Sequence, residues 1–483
     1  MYLVEDETFR QALLFVLILA LGLAIVKLPL NMAVALVAGG VATFLTLLRP
    51  LYGLYFLIFA IPFASIKEIQ IGVATVGATE FLVALVVSAW LARMVTDRRV
   101  RIVPPPLLWS LLVFLALLTL TFAVTLSLQA SVKEWLKWGE VLVVYLFVTN
   151  FVRRNQVPTV MALILVAGIA QALLGLYQSF ARIGPEGFLF PVAGRLMMRA
   201  YGTFQQPNPY GGYLGLIMPL AYSLFVVNWS WRGEKWAFPL WLLGGLGLAV
   251  MGLAMLMTLS RGAWLGFIAA FVLMNVVRSR RALILFLILL ILAVVGLLLG
   301  GVGLLPTVIT QRFLDFLPYL GVVDIGRVEV TPENWAIIER MAHWIAGWRM
   351  FSDHPWLGVG VGNYAAVYPA YALPGWEDPL GHAHNYYLNV AAEAGLLGLM
   401  AYLIFVAACF WQAWRTLPLV RGLWQGTVVG IIGVLAALST HNLFDNLYVH
   451  GMNIHVAILL GLIYVVATQP ILKHQPMRSL CPD

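Results

Sequence analysis

Apolar runs of bilayer-crossing length recur along this chain, beginning with Gln11 to Leu30, and they leave the helix as its only practical spanning structure. Hydrocarbon satisfies no backbone hydrogen bond, so a spanning segment must pair its own amides, and a helix needs about 20 apolar residues to do so. The alternating pattern of a β-barrel is absent. Composition agrees: 62% hydrophobic residues, 10% charged residues and a mean hydropathy of +0.92 exceed what a soluble core can hide. The first run follows an acidic start without a small-residue cleavage pattern, so it reads as a retained span. The expected fold is an all-α polytopic membrane protein with about 12–14 transmembrane helices.

Fourteen runs are read as spans, near 11–28, 31–48, 51–65, 77–95, 106–126, 134–152, 158–181, 209–228, 237–258, 262–277, 282–304, 386–412, 424–441 and 446–468. The short connection at 29–30 is the weakest step, and losing that pair leaves twelve spans with the same later topology. With a cytoplasmic N-terminus, six basic places fall inside: Arg98, Arg99 and Arg101; Arg153 and Arg154; Arg232 and Lys235; Arg278, Arg280 and Arg281; Arg415 and Arg421; Lys473 and Arg478. Membrane orientation thus accounts for the net charge of +8 without nucleic acid. Cys409 and Cys481 are the only cysteines, which excludes a disulfide framework or a cysteine-ligated zinc site.

This orientation puts outside the loop 182–208, the turn at Ser260 and Arg261, and a 78-residue loop from 306 to 383. Loops this long are uncommon unless they carry function. The expected organisation is an N-terminal transmembrane bundle (1–181), a transmembrane segment with the GTF…PN loop and SRG turn (182–305), an extracytoplasmic loop (306–385) and C-terminal transmembrane helices (386–483). Within the long loop, Thr331 to Ser352 reads as an amphipathic helix capped by Thr331, with Pro332 and Glu333 in its first turn. Ile337, Met341, Trp344, Trp348 and Phe351 form its apolar face.

The external arginines are few: Arg195 and Arg199 before GTFQQPNPYGGYL, Arg261 in SRGAWLGF, and Arg340 and Arg349 in the loop helix. A guanidinium binds phosphate oxygens as a bidentate fork and stays charged when partly desolvated, which suits a diphosphate at the interface. Arg340 and Arg349 lie half a turn out of phase, and Arg340 shares its side with Trp344 and Phe351, so it is the better candidate. His384, the last loop position before a span, is placed to take a proton from an incoming hydroxyl, and Asn385 to orient it or bind substrate. His382, His343 and His441 are alternative histidines. No HExxH, external DxD or Walker glycine loop is present, so metal and nucleotide chemistry are not expected and no cofactor is implied.

The pattern His384-Asn385, nine residues, Gly395, two residues, Gly398 resembles the signature of the O-antigen ligase family, whose superfamily also holds O-antigen polymerases and protein O-oligosaccharyltransferases. RAYGTFQQPNPYGGYLGLIMPL, SRGAWLGF, RMAHWIAGWRMFSDHPWLGVGVGNY and HNLFD (His441 to Asp445) resemble further family segments in order, over about residues 195 to 450. The resemblance implies a glycosyltransferase C-like fold in the bacterial cytoplasmic (inner) membrane with its active site facing outside. It implies transfer of a glycan from an undecaprenyl-diphosphate carrier to an acceptor hydroxyl, without metal or nucleotide. His384 would be the catalytic base, and Arg199, Arg261 and Arg340 would bind the diphosphate. Asn385, His382, Asn208, His441 and Asp445 would support them. Attack opposite the leaving diphosphate would invert the anomeric centre.

Lipid A core, another repeat unit or a protein hydroxyl could each be the acceptor, making the chain a ligase, a polymerase or a protein O-oligosaccharyltransferase. Of these, the ligase-like reading is preferred, with the polymerase next. A transporter or flippase for lipid-linked sugars is the alternative from a different class. It calls for ionisable residues deep in several spans and often an inverted repeat. Here ionisable residues gather at outer ends, with Glu80 and Glu140 the main exceptions.

Overall fold

The computed structural model describes residues 29–64, 69–71, 74–96, 102–192, 195–226, 235–279, 328–331 and 334–468, with isolated positions at 22, 284, 287, 288, 291 and 292. The spans read near 11–28 and 282–304, and the residues Pro332 and Glu333, lie largely or wholly outside the described residues. The described helices are α1 (Leu30–Leu48), α2 (Pro50–Ala60), α3 (Ala78–Thr96), α4 (Leu108–Leu120), α5 (Leu128–Phe151), α6 (Val157–Ala181), α7 (Pro207–Gly215) and α8 (Met218–Val226). They continue as α9 (Ala237–Thr258), α10 (Arg261–Arg278), α11 (Trp335–Asp353), α12 (Tyr364–Val367), α13 (Tyr386–Thr416), α14 (Leu423–His441) and α15 (Met452–Thr468). Two short antiparallel hairpins complete the list, β1 (Ile69–Ile71) with β2 (Ala74–Val76) and β3 (Leu189–Val192) with β4 (Arg195–Met198).

Among the described residues, six helices are long and apolar enough to cross a membrane, and four shorter apolar helices accompany them. The chain is therefore an all-α multi-pass membrane protein. It divides into two compact units, Met1–Leu57 with Leu82–Val100, and Ile58–Phe81 with Arg101–Asp483. In the first, Gly53 lets α2 approach α3 so closely that an added Cβ would stand 2.4 Å from Val86.

The second unit is organised around α14, of which 78% of the apolar window is buried. Lipid is as apolar as leucine, so helices in a membrane associate by close packing of small residues rather than by expelling water. Such residues line the contacts here. A Cβ at Gly266 of α10 would meet the Ala437 carbonyl of α14 at 2.9 Å, and one at Gly461 of α15 would meet Val148 of α5 at 2.5 Å.

Two spans differ from their sequence reading. The run 209–228 is broken into α7 and α8 at Leu216 and Ile217, where Pro219 can supply no amide to continue the ladder. Residues 446–451 are not helical, so the last helix starts at Met452. The loop helix also begins later than expected, at Trp335, with Asn334 rather than Thr331 at its N-cap. Thr331 instead sits one turn earlier, where its amide donates to Asn334 Oδ1 at 2.7 Å and its carbonyl accepts from Trp335 at 2.9 Å.

The most consequential departure from regular helix lies in α13, where Gly395 adopts φ 65° and ψ −166°. The break exposes main-chain groups, and the loop from Pro355 to Gly360 pairs with them. Leu396 donates to the Pro355 carbonyl at 2.7 Å, while Val359 and Gly360 donate to the carbonyls of Ala392 and Glu393 at 2.9 and 3.0 Å. Only glycine fits: a Cβ at position 395 would lie 2.3 Å from the Trp356 carbonyl, and its φ is one that L side chains rarely adopt. The Gly395→Ala variant should therefore lose about 3 kcal/mol of stability, seen as a lowered unfolding midpoint in detergent or nanodiscs, whereas an unchanged midpoint would show that the break is not strained.

Candidate active site

The histidine loop is fixed from both sides before any side chain reaches the site. Asn385 Oδ1 accepts the Leu388 amide at 3.0 Å and caps α13, and Asn389 Oδ1 accepts the Ala383 amide at 3.0 Å. The Tyr386 amide donates to the Asn442 carbonyl at 2.8 Å, joining the start of α13 to the end of α14. His384 between these anchors takes φ 50°, uncommon for a residue with a Cβ and held only because its surroundings over-determine it. Trp344 Nε1 donates to its carbonyl at 3.3 Å.

Three ionisable groups meet here. Asp445 Oδ1 lies 3.7 Å from His384 Nδ1 and 3.8 Å from His382 Nε2, and the two imidazole rings stand 4.5 Å apart at 68°. These separations are too long for direct hydrogen bonds. Both ring nitrogens of His384 are buried without a hydrogen-bond partner. Burial works to raise the Asp445 pKa, but His382, His384 and Arg340 outweigh it and hold the carboxyl well below the usual carboxylate range. Burial is also the main reason that His382 falls from 6.5 to about 4, with Asp445 opposing and His384, His343 and Arg340 adding.

Arg340 belongs to the same cluster, its charge acting on His382, Asp445 and His441. One of its Nη atoms donates to the Ala336 carbonyl at 3.2 Å, and its Nε is buried without a hydrogen-bond partner. Arg349, half a turn away, is exposed. The buried stripe of α11 differs from the face read in the sequence. It consists of Ile338, Ala342, His343, Ala346, Gly347 and Met350, while Trp348 is 61% exposed. Small residues win because α13 comes close: a Cβ at Gly347 would meet Leu388 at 3.2 Å.

His441 links two further motifs to this cluster. It lies against α10, where a Cβ at Gly262 would stand 2.8 Å from its Cδ2, and against α7, where one at Gly212 would stand 3.4 Å from its Cε1. Arg261, the first residue of α10, is the neighbour of Gly262. Arg199 follows β4, and its Nε donates to the Thr258 carbonyl at 2.8 Å while an Nη reaches Asn208 Oδ1 at 3.5 Å. The structure thus gathers His382, His384, Asp445, Arg340 and His441, places Arg261 next in sequence to the glycine that packs on His441, and ties Arg199 and Asn208 to the turn leading into α10. Asn385 acts as a helix cap, and the Arg195 side chain lies outside the described atoms.

The ligand atoms of His382, His384 and Asp445 lie within 4.8 Å of one another, a donor set of the kind that holds zinc. The charge of Arg340 also acts on that carboxylate.

Sequence reasoning set His343 and the polar groups behind it to one side. His343 Nδ1 is 3.1 Å from the Tyr364 hydroxyl, its ring stacks on Tyr368 at 4.6 Å, and it meets the His384 ring edge-on at 5.5 Å. Its position three residues after Arg340, on one helix face, was the available signal. Glu393, which the sequence reading did not single out, accepts the Tyr364 amide at 3.1 Å and steadies the same layer.

Apolar helices of membrane-crossing length that bury a histidine–aspartate–arginine cluster define a polytopic membrane protein. Residues 246–403, about a third of the chain, match the O-antigen ligase family. An O-antigen ligase of Pseudomonas aeruginosa strain PAO1 is 27% identical over 255 residues, covering 52% of this chain and 53% of that protein, so the chain spans about half the length of that relative. Among solved structures, a chain from the structural coordination of polymerization and crosslinking by a peptidoglycan synthase complex aligns with 77% of this chain and 98% of its own length, at 16% identity and a TM-score of 0.42.

The depressed histidines imply a pH dependence with a definite sign. His382 and His343 fall from 6.5 to about 4, so the unfolded chain binds more protons than the folded one between those values. Their contribution is complete above pH 6.5 and is lost as pH falls towards about 4. The unfolding midpoint in nanodiscs should drop across this window, and His343→Phe with His382→Phe should flatten the drop. A midpoint that did not change over the window would contradict the burial of neutral imidazoles.

Proposed function

We propose that this protein is an O-antigen ligase-like glycosyltransferase that moves a glycan from an undecaprenyl-diphosphate carrier to an acceptor hydroxyl at the extracytoplasmic side of the bacterial inner membrane. The observation that carries this reading is the His384 imidazole, whose two ring nitrogens are buried and unpartnered beside Asp445 and Arg340. A buried polar group without a partner is costly, and an incoming hydroxyl would supply one. The match of residues 246–403 to the O-antigen ligase family and the similarity to an O-antigen ligase support the same reading.

In this mechanism the acceptor oxygen attacks the anomeric carbon, its proton passes to His384, and the bond to the diphosphate oxygen breaks. Asp445 stabilises the imidazolium that forms. Arg340 and Arg261, with Arg199 behind them, hold the diphosphate and stabilise the charge that develops on it. Fixed guanidinium groups in a site shielded from water are effective here because they need no reorganisation as the bond breaks. His382, kept neutral, leaves that positive field available to the phosphate, and Asn208 holds Arg199 in place. The acceptor is a lipid A core in the ligase reading and a second repeat unit in a polymerase.

With a defined undecaprenyl-diphosphate glycan as donor, His384→Ala should lower the transfer rate by about 100-fold or more while the variant still binds donor. Arg340→Ala should weaken donor binding and slow transfer together, and Arg340→Lys should recover only part, since an ammonium lacks the bidentate fork. Full transfer by His384→Ala would overturn the proposal. Product NMR should show an inverted anomeric centre, and retention would exclude the single displacement.

A further inference from the structure

The Tyr364 hydroxyl fixes the state of a second histidine. It has one proton and two neighbours on His343, the main-chain carbonyl at 3.0 Å and ring Nδ1 at 3.1 Å. The hydroxyl is placed to donate to the carbonyl. With its proton there, the Tyr364 oxygen accepts from Nδ1, and this arrangement makes neutral His343 the Nδ1–H tautomer. Tyr368 holds the ring plane from one side, stacked at 4.6 Å and 21°, and its own hydroxyl is tied to the Trp376 carbonyl at 2.8 Å. The edge-on contact with His384, at 5.5 Å and 76°, therefore comes from a ring that is bonded at Nδ1 and stacked on one face.

We propose that His343 is a positioning residue for transfer: locked between Tyr364 and Tyr368, it is the uncharged wall that keeps the His384 imidazole turned with Nδ1 towards Asp445. This inference rests on the reading of His384 as the base. The charged and titratable groups facing the pair are Arg340 and Asp378, His382, Asp445 and the two tyrosines. A cation at position 343 would stand against the imidazolium that His384 becomes, so a neutral ring serves the reaction and a charged one opposes it. Burial, reinforced by His384, keeps His343 neutral, with Asp378 opposing.

The test uses the full chain in nanodiscs with an undecaprenyl-diphosphate glycan donor, comparing His343→Ala, His343→Asn and His384→Ala. His343→Ala should lower kcat by about 10-fold or more with KM for the donor changed by no more than about twofold. His343→Asn, whose amide can still donate to Tyr364, should recover most of the lost kcat. Solid-state NMR of 15N-histidine-labelled protein should show a protonated Nδ1 and bare Nε2 for His343, assigned by its loss in His343→Asn, and Tyr364→Phe should abolish that fixed tautomer. Unchanged kcat in His343→Ala alongside an inactive His384→Ala would overturn this inference alone, as would equal losses in the Ala and Asn variants or an Nε2–H tautomer. Full activity in His384→Ala would overturn the assignment of the base and this inference with it. If His343→Ala does not fold, the tautomer in the unaltered protein decides.

Discussion

Helix α13 cannot keep its own hydrogen-bond ladder at Gly395, and the loop from Pro355 to Gly360 completes the interrupted pairing. In a bilayer a helix gives up main-chain bonds only where other protein groups replace them. The replacement joins two parts of the site: α11, which carries Arg340 and His343, leads directly into this loop, and the first turns of α13 follow His384. Asn363 then anchors the loop further, its amide nitrogen lying 2.6 Å from Thr125 Oγ1 and 2.8 Å from Ser131 Oγ. The geometry of the polar cluster is set by main-chain bonding some distance from it.

The second organising element is the set of glycines around His441. Gly262 leaves no room for a Cβ beside that ring, and Gly212 brings α7 within van der Waals reach of it, so α7, α10 and α14 converge on one side chain. This convergence brings the PNPYGGYL, SRG and HNLFD stretches together. Arg261 thereby starts a helix at the edge of the cluster, and Asp445 leaves α14 one turn after His441. Close packing of backbones and placement of charge are here the same event.

Much of the architecture was legible because hydropathy and helix length are local properties. The span read at 237–258 coincides with α9, and that at 424–441 differs from α14 by one residue. What misled were contacts made at a distance. The apolar face of α11 was read from Trp344, Trp348 and Phe351, yet the residues facing α13 are small, since bulk would have held the two helices apart. The break at 395 was recorded as a glycine in a motif, but its reason lies in a carbonyl some forty positions earlier in the chain. Asn385, read as orienting His384 or binding substrate, also caps α13, a role its place before an apolar run permits. The functional standing of His343 depends on one tyrosine proton with two neighbours, and no sequence pattern reports that.

The covering of His384 has a further consequence for selectivity. Its side chain is 16% exposed, yet neither ring nitrogen is open to solvent. On the proposed chemistry, bulk water does not automatically become the acceptor, although it is the most abundant hydroxyl compound present. Hydrolysis of the carrier would waste an activated sugar, and a base whose ring nitrogens are covered from solvent protects against it. Discrimination between productive transfer and futile cleavage then lies in access to one imidazole rather than in the intrinsic reactivity of the nucleophile.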